Sequence, residues 1–259
     1  MHFLLTNDDG YGAIGLTSLT EAVLRAGHRA TVCAPFTQQS AMSHRFTLWD
    51  PMFAKEYPSQ NENCRLFSLT GSPVDCVRVG LLNLAEGPVD CVLSGINKGY
   101  NAGVAAEYSG TVGAAMEGSL EGLPALALSI HETAAPKTIA AFADYAVKVA
   151  ERYVKSAPPA YTVLNLNAPA FPVGQLPEAV FAELDATPFD DGYLEEITPM
   201  GQRVFWLDPT RHAHFPCDRE ELFEKGKDCD LLNRGYITLT LLADRAVRTP
   251  EGWEQLLKD

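Results

Sequence analysis

Two adjacent carboxylates, Asp8 and Asp9, follow a short apolar run, His2–Leu5, after Thr6-Asn7, and precede Gly10. Adjacent side chains on a regular strand point to opposite faces, so both reach one point only where the chain bends. The end of a strand followed by glycine allows that bend. Side by side, two carboxylates repel unless a cation or a proton neutralises them. Two further clusters follow apolar runs: Thr37-Gln38-Gln39-Ser40 and Ser94-Gly95-Ile96-Asn97. If the three loops converge, Asp8, Asp9, Ser40 and Asn97 offer two carboxylates, a hydroxyl and an amide to one crevice. All are oxygen donors, a set that suits one hard divalent ion such as Mg²⁺ or Mn²⁺. Zinc prefers nitrogen or sulfur. Singly, each residue has an ordinary role: Asp8 caps a turn, Asp9 is solvated, and Ser40 and Asn97 are turn residues.

The segment Tyr108-Ser109-Gly110-Thr111-Val112-Gly113-Ala114-Ala115 is the second informative feature. A Ser-Gly-Thr that opens a helix of small residues presents free backbone N–H groups, two hydroxyls and a positive dipole end, to which phosphate is the natural guest. Ser109 serves equally as an ordinary N-cap, and both roles can hold together. No GxxxxGK[ST] is present and no GxGxxG follows the first run, which disfavours P-loop ATP hydrolysis and dinucleotide chemistry. His212 and His214, beside Arg211, read as an exposed loop rather than a zinc site.

The elements that must position these residues alternate. Strands are expected at His2–Leu5, Thr31–Ala34, Arg65–Leu69, Cys91–Leu93, Pro124–Ile130 and Thr162–Leu166. Helices are expected at Leu16–Ala26, Val74–Leu84 (opened by Pro73), Thr111 to about Glu121, and Thr138–Lys155. A glycine-rich loop is expected after Leu93. This order predicts an α/β fold: a doubly wound, mostly parallel sheet in a three-layer sandwich. Ligands of such sheets bind outside the carboxyl ends of the strands at the switch in strand order, where the three clusters fall. After Pro169 the prolines multiply and β-type runs recur at Ala179–Leu184, Arg203–Leu207 and Tyr236–Leu242. The division expected is a metal- and phosphate-binding core at 1–168 and a C-terminal β-rich extension at 169–259. That extension would comprise a hairpin and a terminal helix, Glu251–Lys258, and serve oligomer contacts.

Composition narrows the function. The 259 residues carry 20 Lys and Arg against 33 Asp and Glu, a formal net charge of −13. Such a surface repels polyanions, which argues against a nucleic-acid polymer or an anionic membrane as partner. A small phosphate ester remains compatible if a metal supplies positive charge. No apolar stretch approaches a membrane span, and Met1–Leu5 lacks the basic start of a signal peptide, so a cytoplasmic location is expected. Six cysteines at 33, 64, 76, 91, 217 and 229 show no CxxC spacing and read as buried free thiols.

LLTNDDG at 4–10, TGSPVDCV at 70–77, SGINKGYNAG at 94–103 and YSGTVGAAMEG at 108–118 resemble SurE, the survival-protein-E family of metal-dependent nucleotidases. PMGQRVFWL at 199–207 and GKDCDLLNRGYITLT at 226–240 resemble that family's later blocks. The resemblance implies a Rossmann-like core whose C-terminal extension builds a homodimer or homotetramer. It also implies hydrolysis of nucleoside 5′- and 3′-monophosphates, and polyphosphate in some members. Carried over, the metal ligands would be Asp8, Asp9, Ser40 and Asn97, with Ser109, Gly110 and Thr111 beside the phosphate and Asn97 near it. The expected chemistry is attack by water on a phosphomonoester polarised by one divalent ion, with Asp8 or Asp9 orienting or deprotonating that water. The chain departs from the family where Gln39-Ser40-Ala41 replaces Arg-Ser-Gly, at Val104 and Ala105 where acidic residues are common, and at Thr240-Leu241-Leu242. An aspartyl-phosphate phosphatase needs a DxD pair, and Asn7 stands where its first Asp would be. A zinc deacetylase would need nearby histidines. The reading from another class is a nucleotide-binding regulatory protein with lapsed catalysis.

Overall fold

The computed structural model describes residues 1–188, 191–208, 210 and 223–243. Its centre is a nine-stranded sheet. In chain order the strands are β1 (His2–Thr6), β2 (Arg29–Pro35), β3 (Ala54–Tyr57), β4 (Cys64–Leu69), β5 (Cys91–Lys98), β6 (Ala125–Ile130), β7 (Thr162–Ala168), β8 (Ala179–Phe181) and β11 (Ile237–Ala243). A separate hairpin pairs β9 (Tyr193–Ile197) with β10 (Arg203–Leu207). The sheet order is β3-β4-β2-β1-β5-β6-β7-β11-β8. From β4 through β7 all neighbours are parallel, while β3 and β11 run antiparallel to β4 and β7. The chain winds outward from β1 to β2 and β4, returns to β5 on the other side of β1, and continues to β6 and β7. The switch in strand order therefore lies between β1 and β5, where Thr6 pairs with Ser94.

Helices cover both faces. Helix α1 (Ile14–Arg25) and helix α5 (Pro136–Lys155) pack on one side, and α2 (Pro73–Val79) and α4 (Gly110–Leu120) on the other. Leu16, Leu19 and Val23 of α1 join Ile139, Phe142, Ala146 and Val147 of α5 over the sheet, each helix burying a stripe at helical spacing. Ser72 caps α2 in a reciprocal box with Asp75, and Pro73 opens the first turn. The helix expected over Val74–Leu84 is α2 continued by a π turn, Gly80–Leu84, so its length holds but its last turns are wider.

Several expectations are corrected. The glycine-rich loop expected after Leu93 is strand: β5 runs to Lys98, with an irregularity in its pairing to β6 between Ser94 and Asn97. Gly95 makes this possible, since a Cβ there would lie 2.3 Å from the carbonyl oxygen of Leu128. Four elements carried no sequence signal: the exposed edge strand β3, the exposed β9, α3 (Ala105–Tyr108) and α6 (Asp228–Asn233). The runs near 179–184 and 236–242 are strands, but β8 and β11 continue the main sheet instead of standing apart from it. The buried thiols hold for Cys33, Cys64, Cys76, Cys91 and Cys229. Cys217, Arg211, His212, His214 and the terminal helix expected at Glu251–Lys258 lie outside the described residues.

Candidate active site

At the switch point Asn7 folds the chain back on itself. Its amide nitrogen donates to the Gly10 carbonyl at 3.0 Å, and its oxygen accepts from the Gly10 N–H at 3.2 Å. Gly10 takes a φ of +103°, which a side chain would resist. This turn places Asp8 and Asp9 in different surroundings. Asp8 is buried at 6% exposure, and Asp9 is half-buried.

Asp8 is bound from two sides. Its backbone carbonyl accepts the Gln39 N–H at 2.7 Å, and its Oδ1 accepts the Thr111 hydroxyl at 2.5 Å. The other carboxylate oxygen faces Gly110, where a Cβ would stand 3.1 Å away. Burial pushes the Asp8 carboxyl up to about 6, and the charge of Asp9 adds to that; the Thr111 hydroxyl opposes it. Asp9 is also raised, mainly by burial, against the pull of the Lys98 backbone N–H and charge. Among the described residues no ion pair reaches either carboxylate, although Lys98 lies near enough to Asp9 to be felt.

Of the remaining expected residues, Thr111 binds Asp8 directly and Ser40 is linked to Asp9 through Gln38. The Gln38 amide donates to Ser40 Oγ at 3.0 Å and reaches Asp9 Oδ1 at 3.4 Å, so one side chain bridges the exposed Ser40 to Asp9. Asn97 directly precedes Lys98, whose N–H serves Asp9. The Asn97 amide nitrogen donates to the Gly99 carbonyl at 2.9 Å, which leaves its Oδ1 as the group available to a ligand. Ser109 caps α4, its Oγ accepting from the Val112 N–H at 3.1 Å. The Thr111 hydroxyl is engaged with Asp8, so a phosphate at this turn would meet chiefly backbone N–H groups and the Ser109 hydroxyl. A cavity of about 680 Å³ opens along the α4 flank, lined by Ser43, His44, Ser109 and Gly113 among others. None of Asp8, Asp9, Ser40 and Asn97 lines it.

Two carboxylates and two neutral oxygens fit a hard divalent ion that retains several waters. The fit rests on charge as well as donor type, because burying Asp8 beside Asp9 leaves negative charge that a cation would neutralise.

Sequence reasoning passed over the residues that hold these loops. The Asn101 N–H donates to Asn167 Oδ1 and its amide to Ser129 Oγ, both at 2.8 Å. Asn165 and Asn167 in turn donate to the Asn101 carbonyl. Asp228, in α6 (Asp228–Asn233), accepts from the N–H groups of Gly103 and Asp185 at 2.8 and 2.7 Å. The visible signal was asparagine at alternate positions of an otherwise apolar strand, VLNLNA. His44 and Glu117, which bond at 2.8 Å, were also passed over.

A family model described as Survival protein SurE matches residues 3–191. A 5'-nucleotidase SurE of Maridesulfovibrio salexigens is 37% identical over 242 residues, covering 93% of this chain and 92% of that protein. The 5'-nucleotidase SurE of Desulfovibrio desulfuricans is 39% identical over 248 residues, with 93% and 92% covered. Among solved structures, the SurE protein from Aquifex aeolicus superposes with a TM-score of 0.79 at 28% identity, covering all of both chains.

Proposed function

The chain belongs to the Survival protein SurE family, and from that premise we propose that it is a metal-dependent phosphomonoester hydrolase acting on nucleoside 5′-monophosphates and, secondarily, 3′-monophosphates. The observation that carries this reading is the bond from Thr111 to Asp8, which joins the carboxylate pair to the first turn of α4. An anion at that turn and a cation at the carboxylates would be neighbours.

Asp8, Asp9, Ser40 and Asn97 would hold one Mg²⁺ or Mn²⁺. Bound there, the ion supplies Lewis-acid polarisation of a phosphoryl oxygen and neutralises charge. The chain's own groups do the rest. The N-terminal N–H groups of α4 and the Ser109 hydroxyl bind phosphoryl oxygens and stabilise the charge that spreads over them during transfer. Asp9, half-buried and on the solvent side of Asp8, orients the attacking water and accepts its proton. The bond from phosphorus to the nucleoside oxygen breaks as the water oxygen attacks in line, and the leaving oxygen takes a proton from solvent. The hairpin β9–β10, with Tyr193, Met200, Phe205 and Trp206 exposed, supports a role in homodimer or homotetramer contacts.

The test is phosphate release from a panel of nucleoside monophosphates after chelator treatment, with and without Mn²⁺ or Mg²⁺. Turnover restored by metal is expected. Nucleotide binding without release under any metal would instead favour a regulatory protein with lapsed catalysis.

A further inference from the structure

The segment from Phe36 to Thr47 crosses the open end of the sheet as a strap and carries Gln38 and Ser40 over the carboxylates. Two of its residues, Ala41 and Ser43, hold φ values of +56° and +49°, a left-handed backbone that side chains disfavour. Such conformations persist where surrounding contacts over-determine them. Those contacts come from α3 and α4. The Ser43 N–H donates to the Tyr108 carbonyl at 3.0 Å and its hydroxyl to the Glu107 carbonyl at 2.7 Å. Gly113 lets the strap lie flat on the helix, because a Cβ there would stand 2.3 Å from the Ser43 carbonyl oxygen.

The next residue makes the one charge-assisted contact between strap and helix. His44 Nε2 meets Glu117 Oε2 at 2.8 Å, and Arg78 of α2 meets Glu117 Oε1 at 2.5 Å. Glu117 is buried at 5% exposure, so both its oxygens are committed to these two partners. One turn of α4 lies between Glu117 and Gly113, and another between Gly113 and the Ser109 cap. The far end of the strap is held on α2, where the Ser72 hydroxyl donates to the Arg45 carbonyl and Asp75 accepts from Thr47; between that anchor and the Ser43 bonds, the buried Glu117 carboxylate registers the strap against α4 and its phosphate turn.

We propose that His44, Glu117 and Arg78 act as a positioning tether that holds the strap, and with it Ser40, in register with the N-terminal turn of α4. This rests on the reading of Ser40 as one of four cation ligands. His44 is a positioning residue: its ring is bound to Glu117 and acts on the cation ligands through the strap. Releasing it loosens the strap over α4, weakens the contribution of Ser40 to the cation, and leaves Asp8, Asp9 and the phosphate turn in place.

The test uses the full chain with His44→Ala, and His44→Gln as the conservative rescue whose amide nitrogen can replace Nε2. His44 lies at the surface end of the tether, so the substitution empties no core position. Hydrogen exchange at the amides of Gln39 and Ser43, read without metal or substrate, reports the strap directly. Phosphate release against Mn²⁺ concentration then reports the site. For His44→Ala, faster exchange at both amides is expected. The half-activating Mn²⁺ concentration should rise about fivefold, with kcat at saturating Mn²⁺ within about twofold of the parent chain. His44→Gln should restore both. Unchanged exchange would overturn the tether. Faster exchange with an unchanged Mn²⁺ requirement would overturn the link from strap to cation. Loss of kcat at saturating Mn²⁺ with an unchanged requirement would assign His44 to the chemistry instead. If the parent chain releases no phosphate with any metal, the proposed function fails while the exchange arm still decides the tether.

Discussion

The Thr111 hydroxyl donates to Asp8 Oδ1 at 2.5 Å across 103 residues of chain, tying the end of β1 to the first turn of α4. A hydrogen bond to a buried carboxylate offsets part of the cost of its charge without removing it, and the Asp8 carboxyl stays raised to about 6. Two regions of the site are thereby fixed together, and the negative charge between them is left for a cation to balance.

Asp8 therefore imposes a pH-dependent burden on the metal-free protein. Its folded pKa of about 6 lies above the ordinary 3.8, so the folded state favours the protonated form. Stability from this group is full below about pH 4 and falls as pH rises through 6. Thermal melts of chelated Asp8→Asn should show it more stable than the parent by about 3 kcal/mol at pH 8, with the difference nearly vanishing near pH 4. An equal difference at both pH values would contradict the shift.

Glu117 has the opposite sign. His44 first, then Arg78, hold its carboxyl below the usual 4.5 against the effect of burial. Its contribution is present above about pH 4.5 and is lost as pH falls through the lowered folded value. The parent chain should lose more stability than Glu117→Gln between pH 5 and pH 3, measured by urea unfolding at each pH. Parallel losses would show that Glu117 titrates normally.

The winding of the core was legible because its signals were local and strong. Apolar runs buried on both faces marked β1, β2, β4, β5, β6 and β7, and the stripe Ile139, Phe142, Ala143, Ala146 and Val147 marked α5. The two switch-point strands, β1 and β5, could then be matched to Asp8-Asp9 and Asn97 from order alone. The hidden parts depend on pairing between distant segments. Strand β3 reads Ala-Lys-Glu-Tyr and is strand only because β4 offers it an edge. Strand β11 looks like part of an appendage until its pairing with β7 places it in the main sheet. His44 and Glu117 lie 73 residues apart, and neither has a neighbour in sequence that announces the other.

Gly113 tests how closely the strap must approach α4. In Gly113→Ala the new methyl would meet the Ser43 carbonyl carbon and oxygen, both backbone atoms that cannot rotate away. A loss of about 1–3 kcal/mol by chemical denaturation is expected, with faster hydrogen exchange at the Ser43 amide. An unchanged midpoint would mean that the strap has room to lift.

Ala41 is the converse case. At φ +56° its methyl opposes the backbone conformation, at about 1–2 kcal/mol, part of which glycine gives back through a more flexible unfolded chain. Ala41→Gly should raise stability by about 0.5–1 kcal/mol in a thermal melt. A clear loss would show that the methyl makes packing contacts outweighing its strain.

In the proposed function, Asp8, Asp9, Ser40 and Asn97 together hold one divalent ion beside a phosphate-binding turn. Calorimetric titration of the chelated protein with Mn²⁺ tests this most directly, with Asp9→Asn and Asn97→Ala run alongside. One ion per chain is expected, with no measurable binding to Asp9→Asn and weaker binding to Asn97→Ala. Binding of the same stoichiometry and affinity to all three proteins would place the ion elsewhere and contradict the account.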